Sequence, residues 1–310
     1  MLAFVAPGQG AQTPGMLSQW IADPTTKLLL SQWSHEINLD LVRLGTTADA
    51  EEIKDTENAQ PLIVAAGLLG ARALNKKNSK ENNFAFVAGH SVGEITAAAL
   101  AGVISDIDAM KLVRARGIEM AKAAAVKPAG MSAVLGGDRE IVLQAIANLG
   151  LVAANDNGAG QIVAAGDLDA LAQLAPEGAR VRALAVAGAF HTAYMEPAVA
   201  PLRELAAAID VSDAACGVIS NKDGAVIRDG REILDRIVAQ IANPVRWDLC
   251  MSSLSENVSG ALEVPPAGTL VGLLKRAVPE VETFALKSID DISLANEFAQ
   301  RHNQELSGQD

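Results

Sequence analysis

The chain has 310 residues, half of them apolar but only 3% aromatic, and a net charge of −12. That length exceeds what one hydrophobic core usually fills, so a large domain with a second unit is expected, its core built from Ala, Val, Leu and Ile. The acidic balance argues against nucleic acid and anionic membrane as partners. Cys216 and Cys250 are the only cysteines and no metal-ligand spacing occurs, so neither a disulfide framework, a metal nor a cofactor is expected, and the compartment reads as reducing. No basic stretch opens the chain, and the longest apolar run, residues 62–71, is far short of the roughly 18 residues of a membrane helix. A cytoplasmic protein without signal peptide is the expectation.

Residues 2–6 read as a strand, followed by Pro7-Gly8-Gln9-Gly10-Ala11-Gln12. As a dinucleotide fingerprint this loop fails, because Thr13 stands where the third glycine belongs. Two readings stay open: a plain βα turn, or a loop whose backbone N–H groups face a reaction centre. Residues 15–60 read as helical fragments and loops packed through Trp20, Trp33 and Leu41. A helix is expected from about 55 to 74, then a polar, lysine-rich connector at 75–83.

An apolar strand at 84–88 runs into Gly89-His90-Ser91-Val92-Gly93, and a good helix-forming stretch follows at 94–101. Strand, tight turn and helix are the context in which G-x-S-x-G makes a nucleophile elbow. The helix N-terminus then aims amide N–H groups at any oxyanion formed on Ser91. Residues 102–105 break the helix, and Asp106 or Asp108 is expected to cap the next one, which carries Arg114, Arg116, Met120 and Lys122.

From residue 131 the pattern changes. Strand 131–135, helix 139–148, strand 151–154, turn 155–160, strand 161–165, helix 167–174 and strand 181–186 give β-α-β-β-α-β, a ferredoxin-like order. The predicted architecture is therefore α/β, with 127–189 inserted as a small subdomain into a large domain formed by 1–126 and 190–310. Beyond it come a helix at 195–209, a strand at 217–220, a helix at 231–241, a corner at 243–247, a strand-then-turn at 263–268 and a frayed polar tail at 301–310.

A serine needs a base, normally histidine, and four are present. His35, beside Glu36, and His302, in the tail, read as solvated. His90 adjoins Ser91 on a sharp turn and suits a supporting role. Elimination leaves His191, in Gly188-Ala189-Phe190-His191-Thr192, where the inserted unit hands back to the large one. No aspartate stands out as its partner, and a backbone carbonyl could orient the imidazole equally well. Arg116 has two open readings: a buried group satisfied by an anionic ligand, or a surface arginine beside Lys111, Arg114 and Lys122.

Pro7-Gly8-Gln9-Gly10-Ala11-Gln12, Gly89-His90-Ser91-Val92-Gly93-Glu94, Arg116-Gly117-x-x-Met120, Gly188-Ala189-Phe190-His191 and Gln240-x-x-Asn243-Pro244-Val245 occur in this order. Together they resemble the malonyl-CoA:acyl-carrier-protein transacylases of bacterial type II fatty acid synthesis, most closely the actinobacterial ones. The likeness runs from the first strand to about residue 288. It implies an α/β-hydrolase-like large domain with the ferredoxin-like subdomain inserted, and malonyl transfer through a malonyl-Ser91 intermediate. It also implies His191 as base, the carbonyl of Gln240 as its orienter, the N–H groups of Gln9 and Val92 as oxyanion hole, and Arg116 as clamp for the malonyl carboxylate. Phe190 resembles the malonyl-selective pattern, since it would crowd an α-methyl branch. Two departures stand out: Pro265-Pro266-Ala267-Gly268 where the family often has Gly-Pro-Gly, and valine at 92 for a common leucine.

The partners implied are malonyl-CoA and the phosphopantetheine arm of acyl carrier protein, with the chain as a monomer. The alternatives are a serine thioesterase or esterase on the same elbow, and a malonyl-loading subunit of a malonate decarboxylase or polyketide synthase complex. Because carrier proteins are acidic, Arg180, Arg182, Lys222, Arg246, Lys275 and Arg276 are candidates for a basic docking rim.

Overall fold

The computed structural model describes residues 1–75 and 84–304. Most of the expected connector at 75–83, and residues 305–310 of the expected tail, lie outside the described residues. The larger sheet contains β1 (Leu2–Ala6), β2 (Phe86–Gly89), β7 (Gly217–Ile219), β8 (Val226–Ile227), β10 (Gly260–Glu263) and β11 (Glu282–Ala285), in the order β11-β10-β1-β2-β7-β8. All neighbours are parallel except β7 and β8. β1 lies in the middle and every residue of it is buried, as a parallel strand covered on both faces requires. Helices α4 (Thr56–Asn75), α5 (Gly93–Leu100) and α6 (Asp106–Val126) pack together beside this sheet. Trp20, Trp33 and Leu41 are buried in the same core, as expected.

The second sheet contains β3 (Gly130–Gly136), β4 (Val152–Asp156), β5 (Gln161–Gly166) and β6 (Ala179–Ala183), antiparallel in the order β6-β3-β5-β4. With α7 (Arg139–Asn148) and α8 (Leu168–Gln173) it makes the β-α-β-β-α-β order read from the sequence. The expected corner at 243–247 does more than turn. Its β9 (Val245–Arg246) joins this sheet parallel to β4, pairing Asn155 with Val245 and Asp156 with Arg246. The small sheet is thereby hydrogen-bonded to chain that follows it by some sixty residues in sequence.

Several boundaries differ from expectation. Ser105, not Asp106 or Asp108, caps α6, its hydroxyl accepting the N–H of Asp108. The two aspartates instead fill the first turn, where the helix dipole favours them. β6 lies at 179–183 rather than 181–186, because Arg180 and Arg182 sit on an edge strand and hide its period. β10 spans 260–263, ending where a strand was expected to begin. Glu263 there is fully buried, its carboxylate accepting N–H groups of Gly268, Leu270 and Val271 at the start of α12 (Thr269–Ala277). The tail is not frayed through 304. It forms α13 (Ile292–Gln304), and His302 is buried in it rather than solvated, its Nε2 3.1 Å from a Glu282 carboxylate oxygen and its Nδ1 2.9 Å from Ser259 Oγ.

Candidate active site

The turn after β2 is tight. Ser91 has φ of 53°, a left-handed backbone that costs a non-glycine residue of order 1–3 kcal/mol and persists only where surroundings enforce it. The flanking glycines have another task. A Cβ on Gly89 would lie 2.0 Å from the Gly93 carbonyl carbon, and one on Gly93 would lie 2.2 Å from the Ala6 oxygen. They permit close approach of backbones, while the serine itself takes the unusual dihedral. The result lifts the Ser91 hydroxyl out at the start of α5.

His191 reaches it across the chain. Its Nε2 lies 2.7 Å from Ser91 Oγ, and its Nδ1 lies 2.9 Å from the carbonyl oxygen of Gln240. With Nδ1–H donating to that carbonyl, Nε2 is the acceptor for the serine proton. His191 also has a positive φ, 61°, and its N–H donates to Ile241 O at 3.1 Å. Burial, and then the charge of Arg116, push its pKa down to about 3, so the imidazole is neutral and free to accept a proton. The Gln240 carbonyl sits in a single 3-10 turn after α10 (Gly230–Ala239).

Arg116 is 2% exposed, which decides between its two readings against a surface arginine. Its Nη1 donates to Gln60 Oε1 at 2.7 Å, and its Nη2 to Gln240 Oε1 at 3.0 Å and Ser91 Oγ at 3.3 Å. Its Nε has no partner among the described residues. Burial lowers its pKa to about 10, still a cation at neutrality. Glu94 is buried nearby, and Asn221 joins the group, its Oδ1 accepting the Ser91 N–H at 2.8 Å and its Nδ2 donating to Gly89 O at 2.7 Å.

Ser91 and His191 open into a cleft of ≈290 Å³ drawn from both sheets. Gln9 and His90 line it, with Asn155 and Val163 of the small sheet, Asn157 just past β4, and Leu270 and Arg276 of α12. Phe190 is buried on its wall. The N–H groups of Gln9 and Val92 have no acceptor among the described residues. His90 supports rather than reacts: its Nε2 is 2.8 Å from Asn157 Oδ1 and its ring stands edge-on to Trp247.

Residues 3–303 match the family model described as acyl transferase domain. A malonyl CoA-acyl carrier protein transacylase of Mycobacterium tuberculosis is 52% identical over 301 residues, covering 96% of this chain and all of the relative. The chain belongs to the malonyl-CoA:acyl-carrier-protein transacylases. A crystal structure of MCAT from M. tuberculosis superposes with a TM-score of 0.92 at 50% identity, covering 96% of this chain and 99% of that one. A type II polyketide acyl-carrier protein in complex with its malonyl-transacylase matches with a TM-score of 0.88, at 30% identity and 96% and 99% coverage.

Around Ser91 and His191, sequence reasoning missed Gln60, Glu94 and Asn221. Asn221 was findable, because it follows β7 at the carboxyl end of a parallel strand, where open α/β sheets place ligand-binding groups. Glu94 enters the sequence reading only as a helix former closing the elbow motif, and nothing local announces its burial. Gln60 lies mid-helix on α4 and carries no signal. Of the expected basic rim, Arg276 lines the cleft, whereas Lys222 and Arg246 line a separate groove of ≈830 Å³. Arg246 is also paired with Asp248, and Arg180 and Arg182 stand on edge strand β6. Arg276 and the Lys222–Arg246 set thus line two different openings.

Proposed function

We propose that this chain moves malonyl from malonyl-CoA to the phosphopantetheine thiol of acyl carrier protein by way of malonyl-Ser91. The carrying observation is one hydroxyl, Ser91 Oγ, shared between His191 Nε2 at 2.7 Å and the buried Arg116 Nη2 at 3.3 Å. A base and a cation converging on one oxygen suit attack on an acyl group that carries its own anion. In the first half, the Ser91 proton passes to His191 Nε2 as Oγ attacks the thioester carbon. The N–H groups of Gln9 and Val92 receive the developing oxyanion, an effect worth about 10²–10³ in rate per donor. Collapse expels the CoA sulfur, which takes the proton back from His191. In the second half the carrier thiol gives its proton to His191 and attacks the ester, and the Ser91 oxygen leaves with that proton.

Arg116 would hold the malonyl carboxylate, exchanging its bond to Ser91 Oγ and using the unpartnered Nε. This has a second consequence. After burial, the charge of Arg116 is the next cause that holds the His191 pKa down, so a carboxylate seated on the guanidinium would offset that part and make the imidazole a better base as substrate arrives. Phe190 on the cleft wall would crowd an α-methyl branch. The same proposal takes 127–189 as an inserted subdomain in the 1–126 and 190–310 domain, and the protein as a cytoplasmic monomer. No helix among the described residues is long and apolar enough to cross a membrane.

The test follows discharge of isolated malonyl-enzyme by holo carrier protein and by water. Transfer to the carrier is expected to be at least about 10²-fold faster than hydrolysis. Equal rates would make the chain a thioesterase, and discharge only by a dedicated synthase or decarboxylase subunit would make it a loading component.

A further inference from the structure

Glu94 opens α5 directly behind the nucleophile and is buried. Its Oε1 accepts the Asn221 N–H at 2.6 Å, and its Oε2 accepts from Gln240 Nε2 at 2.5 Å. Those two residues hold the reacting pair from behind. Asn221 Oδ1 accepts the Ser91 N–H, and the Gln240 backbone oxygen accepts from His191 Nδ1. The Gln240 amide also donates to Ser91 O at 3.0 Å. Both carboxylate oxygens thus face N–H donors, and a carboxyl group can accept freely on both only when ionised. Burial opposes that form.

We propose that the Glu94 carboxylate is a positioning residue that governs the acidic limb of Ser91 acylation. Ionised, it fixes Gln240 and Asn221 and through them His191 and Ser91; protonated, it turns an O–H towards the Gln240 amide and loosens the base. The inference rests on the reading of Ser91 and His191 as nucleophile and base. The charged and titratable groups facing Glu94 are Arg116 on α6, Arg236 on α10 and Cys250 on α11 (Trp247–Asn257). On α4, Glu57 and Arg72 are paired with Arg114 and Asp106, and β1, β2 and β7 carry no titratable side chain. Burial raises the Glu94 pKa to about 7 against the opposing pull of its two hydrogen bonds and of Arg116. His191 is held far below that range by its own burial, so it supplies no limb near neutrality. A cavity of ≈10 Å³, about the size of one water, is lined by Glu94, Ser220 and Arg236 and shares no residue with the substrate cleft.

The experiment measures single-turnover labelling of Ser91, by intact mass, from about pH 6 to 8. Two probes run in parallel: malonyl-CoA, and phenylmethylsulfonyl fluoride, which sulfonylates an activated serine and needs no acyl anion. For the wild type both rates are expected to fall about tenfold per pH unit below the limb. Glu94→Gln, which offers one acceptor for two donors, is expected to react about 10-fold or more slowly with a flat profile and a KM for malonyl-CoA changed less than about twofold. Glu94→Asp keeps the charge and is expected to recover a limb and part of the rate. A Glu94→Gln enzyme with wild-type rate and limb overturns the proposal. So does a wild type without a limb in this range, a result that needs no variant to fold. Sulfonylation that follows Glu94 while malonyl-CoA leaves no adduct would overturn the substrate reading alone. A wild type unreactive to both reagents would overturn both.

Discussion

Among the described residues the protein holds two serine–histidine pairs, and the one with the more orthodox composition lies away from the cleft. Ser259 Oγ lies 2.9 Å from His302 Nδ1, and His302 Nε2 lies 3.1 Å from the Glu282 carboxylate. Serine, histidine and acid are all present. Yet Ser259 sits where the chain enters β10, at the amino end of a parallel strand, and its hydroxyl also meets the N-terminal amine of Met1. The His302 ring packs so closely on Gly260 that a Cβ there would come within 2.5 Å of it. Neither residue lines the cleft. Ser91 faces a histidine whose ring no carboxylate touches among the described residues, its Nδ1 lying against the Gln240 carbonyl. It has a positive φ, a helix N-terminus, an open cleft and two N–H groups without an acceptor among the described residues. A nucleophile is thus made by where its backbone stands and what faces its oxygen, more than by which residues touch it.

That contrast is open to direct attack. Ser91→Ala is expected to lower malonyl transfer by about 10³-fold or more, and Ser259→Ala to leave kcat/KM within about twofold, both by carrier-dependent assay. Arg116→Ala should lower kcat/KM for malonyl-CoA by about 10²–10³-fold, since it removes a charge-assisted pair and orphans Gln60 and Gln240. Acetyl-CoA, which lacks the carboxylate, should lose much less, and an equal loss for both would remove Arg116 from acyl recognition. Phe190→Ala should raise the methylmalonyl-to-malonyl ratio of kcat/KM by about 10-fold, the scale of one methyl group. His302→Ala should cost about 1–2 kcal/mol of stability, read as a lower Tm, with kcat/KM unchanged, because it removes a buried ring and its two polar contacts.

The smallest effect separates the pairs by pH. The folded pKa of His191 is depressed to about 3, so the unfolded chain binds the extra proton between about pH 3 and 6.5. Its contribution is fully present above pH 6.5 and lost as pH falls towards 3. Glu94 runs the other way: raised to about 7, its contribution is present below its unfolded value and lost as pH rises through 7. The two oppose each other in mildly acidic buffer. His191→Gln is therefore expected to gain stability relative to wild type as pH falls below 6.5, by up to about 1 kcal/mol per pH unit in denaturant titrations. A constant offset across that range would show that His191 is not held neutral by the fold.

Much of the fold was legible because the signals were local. The elbow, the α7 boundaries and the βαββαβ order follow from apolar runs, capping aspartates and glycine turns. What stayed hidden depends on contacts distant in sequence. Nothing in Val245-Arg246 announces pairing with β4, and nothing in the polar stretch around His302 announces that Glu282 and Ser259 bury it. At the site, Ser91 and His191 were reached from motif and elimination. The carbonyl of Gln240 is invisible to any reading of side-chain chemistry and entered only through the family likeness. Glu94, Gln60 and Asn221 act through hydrogen bonds spanning up to 146 residues, a distance at which residue type alone carries no information.

The most direct test of the central claim is intact-protein mass after brief exposure to malonyl-CoA, with peptide mapping, on wild type, Ser91→Ala and Ser259→Ala. Acylating one hydroxyl adds about 86 Da. Wild type and Ser259→Ala are expected to gain that mass on the peptide containing Ser91, and Ser91→Ala to gain none. An adduct on the Ser259 peptide, or one that survives in Ser91→Ala, would contradict the account.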